Sequence, residues 1–296
     1  MTAAFADRLI HTARSLGHPL CVGFDPFPDR IPALFGPAGA PETAERFFLE
    51  VLSLLRGQVV AVKPQIGLFE PWGGDGVAVV QRLTAAARDL GILTILDAKR
   101  GDIGTTAEGY AVAALRPGGA FGADCVTVNP YLGLETLTPF VREAQAAGGS
   151  LAVLVRTSNP GAGDFQDLDC GGVPLWQRVA EGLAPLQDQL AGAGMWSSLM
   201  VVAGATWPGQ ARELRAILPR ALFLVPGYGA QGASAAEAVA GFVPGPRGAE
   251  GGVVNSSRAI LYPPAASGAA SLDAWRDAIR TALEAATTEL ASAVAR

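Results

Sequence analysis

The sequence predicts an α/β protein that forms a single (β/α)8 TIM barrel over residues 1–296, with flanking N-terminal and C-terminal helices. Eight short apolar runs alternate with stretches whose apolar residues have helical spacing. No linker composition divides the chain into two parts. Because strands that alternate with helices pair in parallel through right-handed crossovers, eight such units close into one barrel.

The eight apolar runs have the length and composition of strands that are buried on both faces. In chain order, the predicted strands are Pro19–Phe24, Val59–Lys63, Ile92–Asp97, Cys125–Val128, Leu151–Val155, Leu199–Ala203, Ala221–Val225 and Gly252–Asn255.

The predicted helices fall between these strands and at both ends of the chain. Those between strands include Glu42–Arg56, Val77–Leu90, Leu134–Ala147 and Trp207–Leu218, and the flanking pair is Ala3–Leu16 and Ser271–Val294. Two segments, Gly163–Gly172 and Ala240–Gly251, lengthen loops of this pattern. Lids and plain surface loops are both open interpretations of them.

Charge and cysteine content argue against several classes of protein. The chain has 22 basic and 27 acidic residues, a net charge of −5, and no strong basic concentration, which argues against nucleic acid and anionic membranes as partners. Cys21, Cys125 and Cys170 are odd in number and widely spaced, which favours buried thiols over disulfides or a zinc site. Neither a secretory signal nor a membrane span is recognisable. We expect a soluble cytoplasmic protein.

Polar residues gather where the predicted strands end. Barrel enzymes build their sites from these ends and from the loops beyond them. In isolation, the favoured interpretation of Lys63 is a surface lysine and that of Asp25 is a turn former, but their shared position favours function. The polar residues at strand ends are Asp25, Lys63, Asp97, Lys99, Asn129 and the run from Arg156 to Asn159.

The third strand ends in a cluster of charges. Asp97 and Lys99 alternate along the strand, so they are predicted to share a face, with Ala98 in the opposite layer. Asp102 follows after a glycine-containing turn. Charges are seldom placed at the end of a buried strand unless they are paired or functional. The cluster therefore indicates either a structural ion pair or a catalytic one.

Two segments of the second half are suited to an anion. Residues 225–232 follow the seventh strand and contain three glycines, while residues 255–258 follow the eighth. Glycines let backbone N–H groups approach an oxyanion, the amide of Gln231 can donate, and Arg258 offers a planar fork. Barrels often hold phosphate at these two loops. The alternative is two tight turns and a salt-bridged arginine.

Together these motifs resemble the orotidine 5′-phosphate decarboxylase family, particularly its longer bacterial branch, over nearly the whole barrel. The resemblance implies a homodimer that converts orotidine 5′-monophosphate to uridine 5′-monophosphate and carbon dioxide, the last step of de novo pyrimidine nucleotide synthesis, without metal or organic cofactor. It rests on Asp25, Lys63, the run from Asp97 to Ile103, the run from Arg156 to Gly161, the run from Pro226 to Gly232, and Arg258.

The resemblance also implies roles for the charged residues. Lys99 would stabilise the negative charge that develops at pyrimidine C6 and would then protonate that carbon. Asp97 would lie near the substrate carboxylate, and Lys63 and Asp102 would complete an alternating array of charges. Asp102 and Thr106 would reach into the site of the neighbouring subunit.

The implied substrate contacts are distributed over the remaining strand ends. They are Asp25, Lys63 and Thr106 for the ribose, Ser158 for the pyrimidine, Gln231 and Arg258 for the phosphate, Ile103 for the apolar pocket that receives carbon dioxide, and Pro226 as a further substrate-binding residue.

Two rival functions stay open at this point. A magnesium-dependent sugar-phosphate decarboxylase or lyase of the same barrel group shares the Asp-x-Lys-x-x-Asp pattern, but it would need an added metal ligand, for which Glu70 is the nearest candidate. A noncatalytic nucleotide-binding barrel would need only the phosphate site, and the intact set of Asp97, Lys99 and Asp102 argues against it. Ser257 stands where shorter relatives commonly have glycine, which leaves the backbone approach to phosphate open.

Overall fold

The computed structural model describes residues 3–229 and 232–295, and eight parallel strands in it form a closed barrel. Seven of them pair in chain order, and the last strand closes the barrel between the seventh and the first. A separate antiparallel hairpin is formed by Val243–Gly245 and Gly248–Glu250. The strands are β1 (Leu20–Phe24), β2 (Ala61–Pro64), β3 (Leu93–Arg100), β4 (Cys125–Val128), β5 (Ser150–Arg156), β6 (Leu199–Ala203), β7 (Leu222–Val225), β8 (Val243–Gly245), β9 (Gly248–Glu250) and β10 (Gly252–Ser256).

Helices alternate with the barrel strands. The α-helices are α1 (Phe5–Leu16), α2 (Pro41–Leu55), α3 (Ile66–Phe69), α4 (Gly73–Asp89), α5 (Gly104–Leu115), α6 (Thr138–Ala147), α7 (Gly163–Gln166), α8 (Leu175–Leu183), α9 (Leu186–Gln189), α10 (Pro208–Ile217), α11 (Ala235–Ala238), α12 (Arg258–Leu261), α13 (Pro264–Ser267) and α14 (Leu272–Val294). Short 3₁₀ helices cover Pro28–Arg30, Ala33–Phe35, Glu70–Trp72, Leu134–Leu137 and Pro160–Ala162.

The predicted barrel and its flanking helices are confirmed, with differences at the ends of elements. The third strand was expected to end at Asp97 but continues to Arg100, because a shift of register between Leu96 and Arg100 keeps its end paired with β4. The helix expected at 134–147 begins as a 3₁₀ turn and becomes α6 only at Thr138. The two lengthened loops contain α7 and the β8–β9 hairpin.

The amino-terminal end of the barrel is closed by α1. Phe5 and Leu9 of this helix are fully buried and belong to one apolar cluster with the barrel residues Cys21, Met200 and Val253. A hydrogen bond also connects α1 to the barrel, since the backbone N–H of Ala6 donates to the Ser198 hydroxyl just before β6. Apolar side chains therefore fill the amino-terminal half of the barrel, and any cavity at the carboxyl ends of the strands has this apolar layer as its floor.

The predicted burial of the cysteines is confirmed for two of the three. Cys21 and Cys125 are fully buried on barrel strands, whereas Cys170 is only partly buried, and all three are free thiols. Burial raises the pKa of Cys21 and of Cys125 to about 12, so both thiols stay protonated near neutral pH. Among the described helices, none combines the length and the apolar character needed to cross a bilayer.

Candidate active site

A cavity of about 700 Å³ opens at the carboxyl ends of the barrel strands. Every barrel strand, or a residue shortly after it, contributes to the wall. This is the end at which (β/α)8 barrels place their sites. Six residues with a predicted catalytic or substrate-binding role line it: Asp25, Lys63, Asp97, Lys99, Ser158 and Pro226. Thr157 and Asn159, from the polar run predicted after the fifth strand, line it as well.

The carboxylate of Asp97 is the centre of the polar contacts in this cavity. Its Oδ2 accepts from Lys63 Nζ at 2.7 Å and from Gln65 Nε2 at 3.0 Å. Its Oδ1 accepts from Lys99 Nζ at 2.6 Å and from the Thr127 hydroxyl at 2.9 Å. With four donors, the carboxylate has a partner for each of its lone-pair directions. This confirms that Asp97 and Lys99 share a face.

The two lysines differ in exposure and are the only lysines in the sequence, whose other 20 basic residues are arginines. The side chain of Lys63 is 7% exposed, whereas that of Lys99 is 47% exposed. Burial opposes the charged form of Lys63, but Asp97 and Asp25 outweigh it and raise its pKa above the ordinary lysine value. Burial also opposes ionisation of Asp97, and the charges of Lys63 and Lys99 outweigh it, so the pKa of Asp97 lies well below its usual range.

The backbone at Lys99 is in an unusual conformation. Its φ is +46°, in the left-handed region, and no other non-glycine residue in the described ranges has a positive φ. The residue lies inside the bulge of β3, where its backbone N–H and that of Ala98 donate to the Thr127 hydroxyl. Such conformations occur where the surrounding structure holds them, often at functional sites.

The loop after β5 is held by a buried arginine. Arg156 is 2% exposed and donates to Gln210 Oε1 at 2.5 Å and to Asp167 Oδ2 at 3.1 Å. The central carbon of its guanidinium lies over the ring of Trp207, 4.2 Å from the ring centroid. Gln166 of α7 completes the arrangement, since its Oε1 accepts from the backbone N–H of Thr157 at 3.0 Å. Its Nε2 also donates to the Thr157 hydroxyl at 2.8 Å. These contacts fix the backbone directly before Ser158.

Gly204 allows the same loop to lie close to the end of β6. A Cβ atom at this position would come within 2.9 Å of the Ser158 Cα atom. Any other residue would therefore push Ser158 away from the cavity wall. The segment from 163 to 172, whose role the sequence left open, thus packs against the site through Gln166 and Asp167.

The wall between β10 and β1 has unpaired polar atoms. Oδ1 of Asp25 and Oδ1 of Asn255, both residues of the cavity wall, are buried and have no hydrogen-bond partner among the described residues. The same holds for Oγ of Ser257, which does not line the cavity. The amide of Asn255 lies over Gly23, where a Cβ would come within 3.2 Å of its Nδ2. Because buried polar groups are normally hydrogen-bonded, this side of the cavity is suited to a ligand with several hydroxyl groups.

The predicted anion site is only partly described. Arg258 begins α12, is exposed, and makes no side-chain hydrogen bond or ion pair within the described ranges. Gly227 and Gly229 after β7 have φ of 101° and 68°, which favours glycine at both positions. The loop is tied to α14 by a 2.6 Å hydrogen bond from the Tyr228 hydroxyl to Glu289. Gln231 lies outside the described residues.

Four of the described residues with a predicted catalytic or substrate-binding role do not line the cavity of their own chain, namely Asp102, Ile103, Thr106 and Arg258. Asp102 accepts from the backbone N–H of Ile103 at 2.8 Å, and Thr106 is exposed on α5. Ile103 is 61% exposed, which is high for an isoleucine. The loop after the adjacent strand β4 exposes further apolar side chains, namely Tyr131, Leu132 and Leu134.

Sequence reasoning missed two polar residues of the cavity wall, Gln65 and Thr127. Asn255, from the segment expected to bind an anion, also lines the wall. Gln65 directly follows β2, two residues after Lys63, and Thr127 lies on β4, two residues before Asn129. Alternation along the strands, applied to every polar residue and not only to charged ones, would have found them.

The residues that a metal ion would need are not grouped at this site. Glu70, the nearest candidate ligand in the sequence, lies outside the cavity wall and accepts from Arg100 Nη2 at 3.0 Å. Over residues 3–229 and 232–295, no three histidine, cysteine, aspartate or glutamate side chains come together in a way that would hold a metal ion.

The sequence is similar to that of a known protein family and to its curated members. Residues 18–271 match the model of the Orotidine 5'-phosphate decarboxylase / HUMPS family. The chain belongs to this family. It is 42% identical to the orotidine 5'-phosphate decarboxylase of Deinococcus radiodurans, over 88% of this chain and 90% of that protein. It is 36% identical to the Rhodopirellula baltica enzyme of the same name, over 94% of this chain and 96% of the other.

Solved structures of the family have the same fold. The crystal structure of a putative orotidine 5'-phosphate decarboxylase from Streptomyces avermitilis aligns with a TM-score of 0.83 at 34% identity, covering 100% of this chain and 97% of the other. Leishmania donovani UMP synthase aligns with a TM-score of 0.79 at 30% identity. The alignment covers 99% of this chain and 57% of that synthase, so the match lies within one part of a larger protein.

Proposed function

We propose that this chain is a carboxy-lyase that converts orotidine 5′-monophosphate to uridine 5′-monophosphate and carbon dioxide, the last step of UMP biosynthesis. The observation that carries the proposal is the binding of Lys63 and Lys99 to one buried carboxylate, Asp97, at the carboxyl end of the barrel. The names of the full-length relatives support the same substrate.

The proposed chemistry is direct decarboxylation. The bond between C6 and the carboxylate breaks, carbon dioxide leaves, and the electron pair stays on C6 as a carbanion that the ring cannot readily delocalise. The ammonium of Lys99 stabilises this charge and then donates a proton to C6, after which solvent reprotonates the lysine. Because Asp97 already holds the ammonium in place, little reorganisation is needed as the charge develops. No step calls on a metal or an organic cofactor.

We assign the substrate contacts on the same basis. Asp25 and Lys63 bind the ribose hydroxyls beside the unpaired oxygens of Asp25 and Asn255. Ser158 binds the pyrimidine, and Pro226, which follows β7, packs against the substrate. Gln231 and Arg258 bind the phosphate, so that energy from a distant group aligns the ring over Lys99. The cytoplasmic location stays a prediction from the sequence.

We further propose a homodimer with shared active sites. Asp102 and Thr106 lie outside their own cavity. Ile103, next to Asp102, is exposed, and the loop after the adjacent strand β4 exposes Tyr131 and Leu132. Exposed apolar side chains of this size suit a protein interface. In the dimer, Asp102 and Thr106 would complete the neighbouring site, and Ile103 would contribute to the apolar pocket that receives carbon dioxide.

Turnover is tested by following the loss of orotidine 5′-monophosphate absorbance with EDTA-treated protein, beside Lys99→Ala. Turnover by the parent and its collapse in a folded Lys99→Ala variant would support both the substrate and the lysine. Turnover that survives in Lys99→Ala would retain the substrate and reject the mechanism. Activity on a sugar phosphate that appears only with Mg²⁺ would favour the rival lyase, and nucleotide binding without turnover would favour the noncatalytic barrel.

The shared site is tested by mixing two inactive variants. Lys99→Ala and Asp102→Ala subunits are each expected to form inactive dimers, whereas a hybrid of the two contains one site with both residues intact. Mixing should therefore restore up to half of the activity per hybrid dimer. No recovery after verified subunit exchange would reject the shared site, while failure of the parent to turn over would reject the function itself.

A further inference from the structure

We propose that Thr127 is a positioning residue whose hydroxyl holds Lys99 and Asp97 in their reactive arrangement. The proposal rests on the proposed decarboxylase function and assigns a task to a residue that has none so far. Thr127 lies on β4, opposite the bulge of β3, and is 1% exposed.

The hydroxyl of Thr127 makes three hydrogen bonds. Its oxygen accepts from the backbone N–H groups of Ala98 at 2.9 Å and Lys99 at 2.8 Å, and lies 2.9 Å from Oδ1 of Asp97. A hydroxyl has one donor and two acceptor positions. Because the two N–H groups can only donate, they occupy both acceptor positions, and the hydroxyl proton is directed at Asp97.

The two backbone contacts stabilise the bulge that aims Lys99. In a regular strand, residues two apart project in parallel from points roughly 6.6 Å apart. Here the backbone turns at Lys99, with φ of +46°, and Lys99 Nζ reaches Oδ1 of Asp97 at 2.6 Å. A left-handed backbone is disfavoured for a residue with a Cβ atom and persists only when neighbours hold it. The bulge brings the N–H groups of Ala98 and Lys99 together, and the Thr127 hydroxyl oxygen accepts from both.

The third contact fixes the carboxylate. Oδ2 of Asp97 is held by Lys63 and Gln65, and Oδ1 by Thr127 and Lys99. Without the hydroxyl, Lys99 would be the one remaining donor to Oδ1 within the described residues, and carboxylate and ammonium could move together. A valine would fill the same space on the strand, so the hydroxyl is the feature that distinguishes threonine here.

The test compares Thr127→Val, which removes the hydroxyl with little change of shape, with Thr127→Ser, which keeps it. With orotidine 5′-monophosphate, Thr127→Val is expected to lower kcat by about tenfold to a hundredfold, because a charge-assisted contact and the aim of Lys99 are lost together. KM should change by less than about threefold, and Thr127→Ser should stay within about threefold of the parent in both constants.

Thr94→Val is the matched control. Thr94 is also a buried threonine but lies on β3, near the amino end of the barrel. Its hydroxyl donates to the Asp124 carboxylate and accepts from the Asp124 backbone N–H. The control should lose comparable stability but keep its kcat. Thermal unfolding of all variants is measured in parallel, and Thr127→Ala replaces Thr127→Val if the valine variant does not fold.

Three results would overturn the proposal. They are a folded Thr127→Val variant with kcat within threefold of the parent, a loss in Thr127→Ser as large as in Thr127→Val, and an equal loss of kcat in Thr94→Val. If the parent itself does not turn over, the proposed function fails, but the positioning role is still testable. The rate of acetylation at Lys99, measured by mass spectrometry, should then rise several-fold in Thr127→Val, and an unchanged rate would reject the role.

Discussion

The ammonium of Lys63 and the carboxylate of Asp97 form an ion pair of 2.7 Å in which both side chains are almost completely buried. The same carboxylate binds Lys99, whose side chain is about half exposed. Asp97 therefore joins an inner lysine, which compensates its buried charge, to an outer lysine that faces the cavity. The difference between these two lysines leads to the first two predictions.

Removal of the inner lysine should destabilise the fold. Lys63→Met is expected to lower the free energy of unfolding by about 3 kcal/mol, since it leaves Asp97 buried with fewer compensating partners. Urea denaturation measures the change. Arg280→Met, which removes an exposed pair with Asp277, should stay within about 0.5 kcal/mol of the parent. An equal loss of stability in the two variants would contradict the claim that Lys63 compensates the buried charge of Asp97.

The contribution of this pair should also depend on pH at the extremes alone. The lowered pKa of Asp97 adds stability that is present above about pH 4 and is lost as the pH falls further. The raised pKa of Lys63 adds stability that is present below about pH 10 and is lost as the pH rises further. The stability difference between the parent and Lys63→Met should therefore shrink as the pH rises above about 10. A difference that does not shrink there would count against the pair.

Acetylation of amines should report on the site directly. Because the sequence contains two lysines that are 47% and 7% exposed, an acetylating reagent should modify Lys99 at least several-fold faster than Lys63. Activity should fall in step with Lys99 acetylation, since the reagent removes its charge, and uridine 5′-monophosphate should protect. Peptide mass spectrometry gives the site, and Lys99→Ala serves as the control. Earlier modification of Lys63 would contradict the exposures.

Removal of Arg258 should slow the reaction only for substrates that carry phosphate. We expect Arg258→Ala to lower kcat/KM for orotidine 5′-monophosphate about tenfold to a hundredfold, as loss of a charge-assisted contact predicts. With the nucleoside orotidine, which lacks phosphate, parent and variant should be equally slow. Arg212→Ala on α10, also exposed, is the matched control and should change neither substrate. An equal loss with orotidine would show that Arg258 does not act through phosphate.

Gln166 should affect substrate binding through the loop before Ser158. Gln166→Leu leaves the backbone N–H of Thr157 without its partner and removes one of the two partners of the Thr157 hydroxyl, which keeps Asn159. The loop should therefore loosen, and KM should rise several-fold with a smaller change in kcat. Gln145→Leu removes a glutamine that donates to the Gln189 carbonyl away from the cavity, and it should leave both constants unchanged. A parallel loss in the two variants would indicate a general effect on stability.

Much of the fold could be predicted from local sequence. Strands buried on both faces need continuous apolar runs, so the barrel strands were recognisable within a few residues. α5 was harder to recognise, because its alanines are distributed around the helix and form no clear apolar stripe. The extension of β3 to Arg100 was missed because apolar character ends before the pairing with β4 does.

By itself, the sequence determined the barrel and the strand ends at which polar residues gather, because both follow from short-range patterns of apolar and polar residues. It also carried the family motifs around Asp97 and Lys99. Only the tertiary structure decided which groups bind Asp97, because its four donors come from β2, β3, β4 and the residue that follows β2. Their distances depend on barrel closure, strand register and the bulge at Lys99, none of which a local pattern contains.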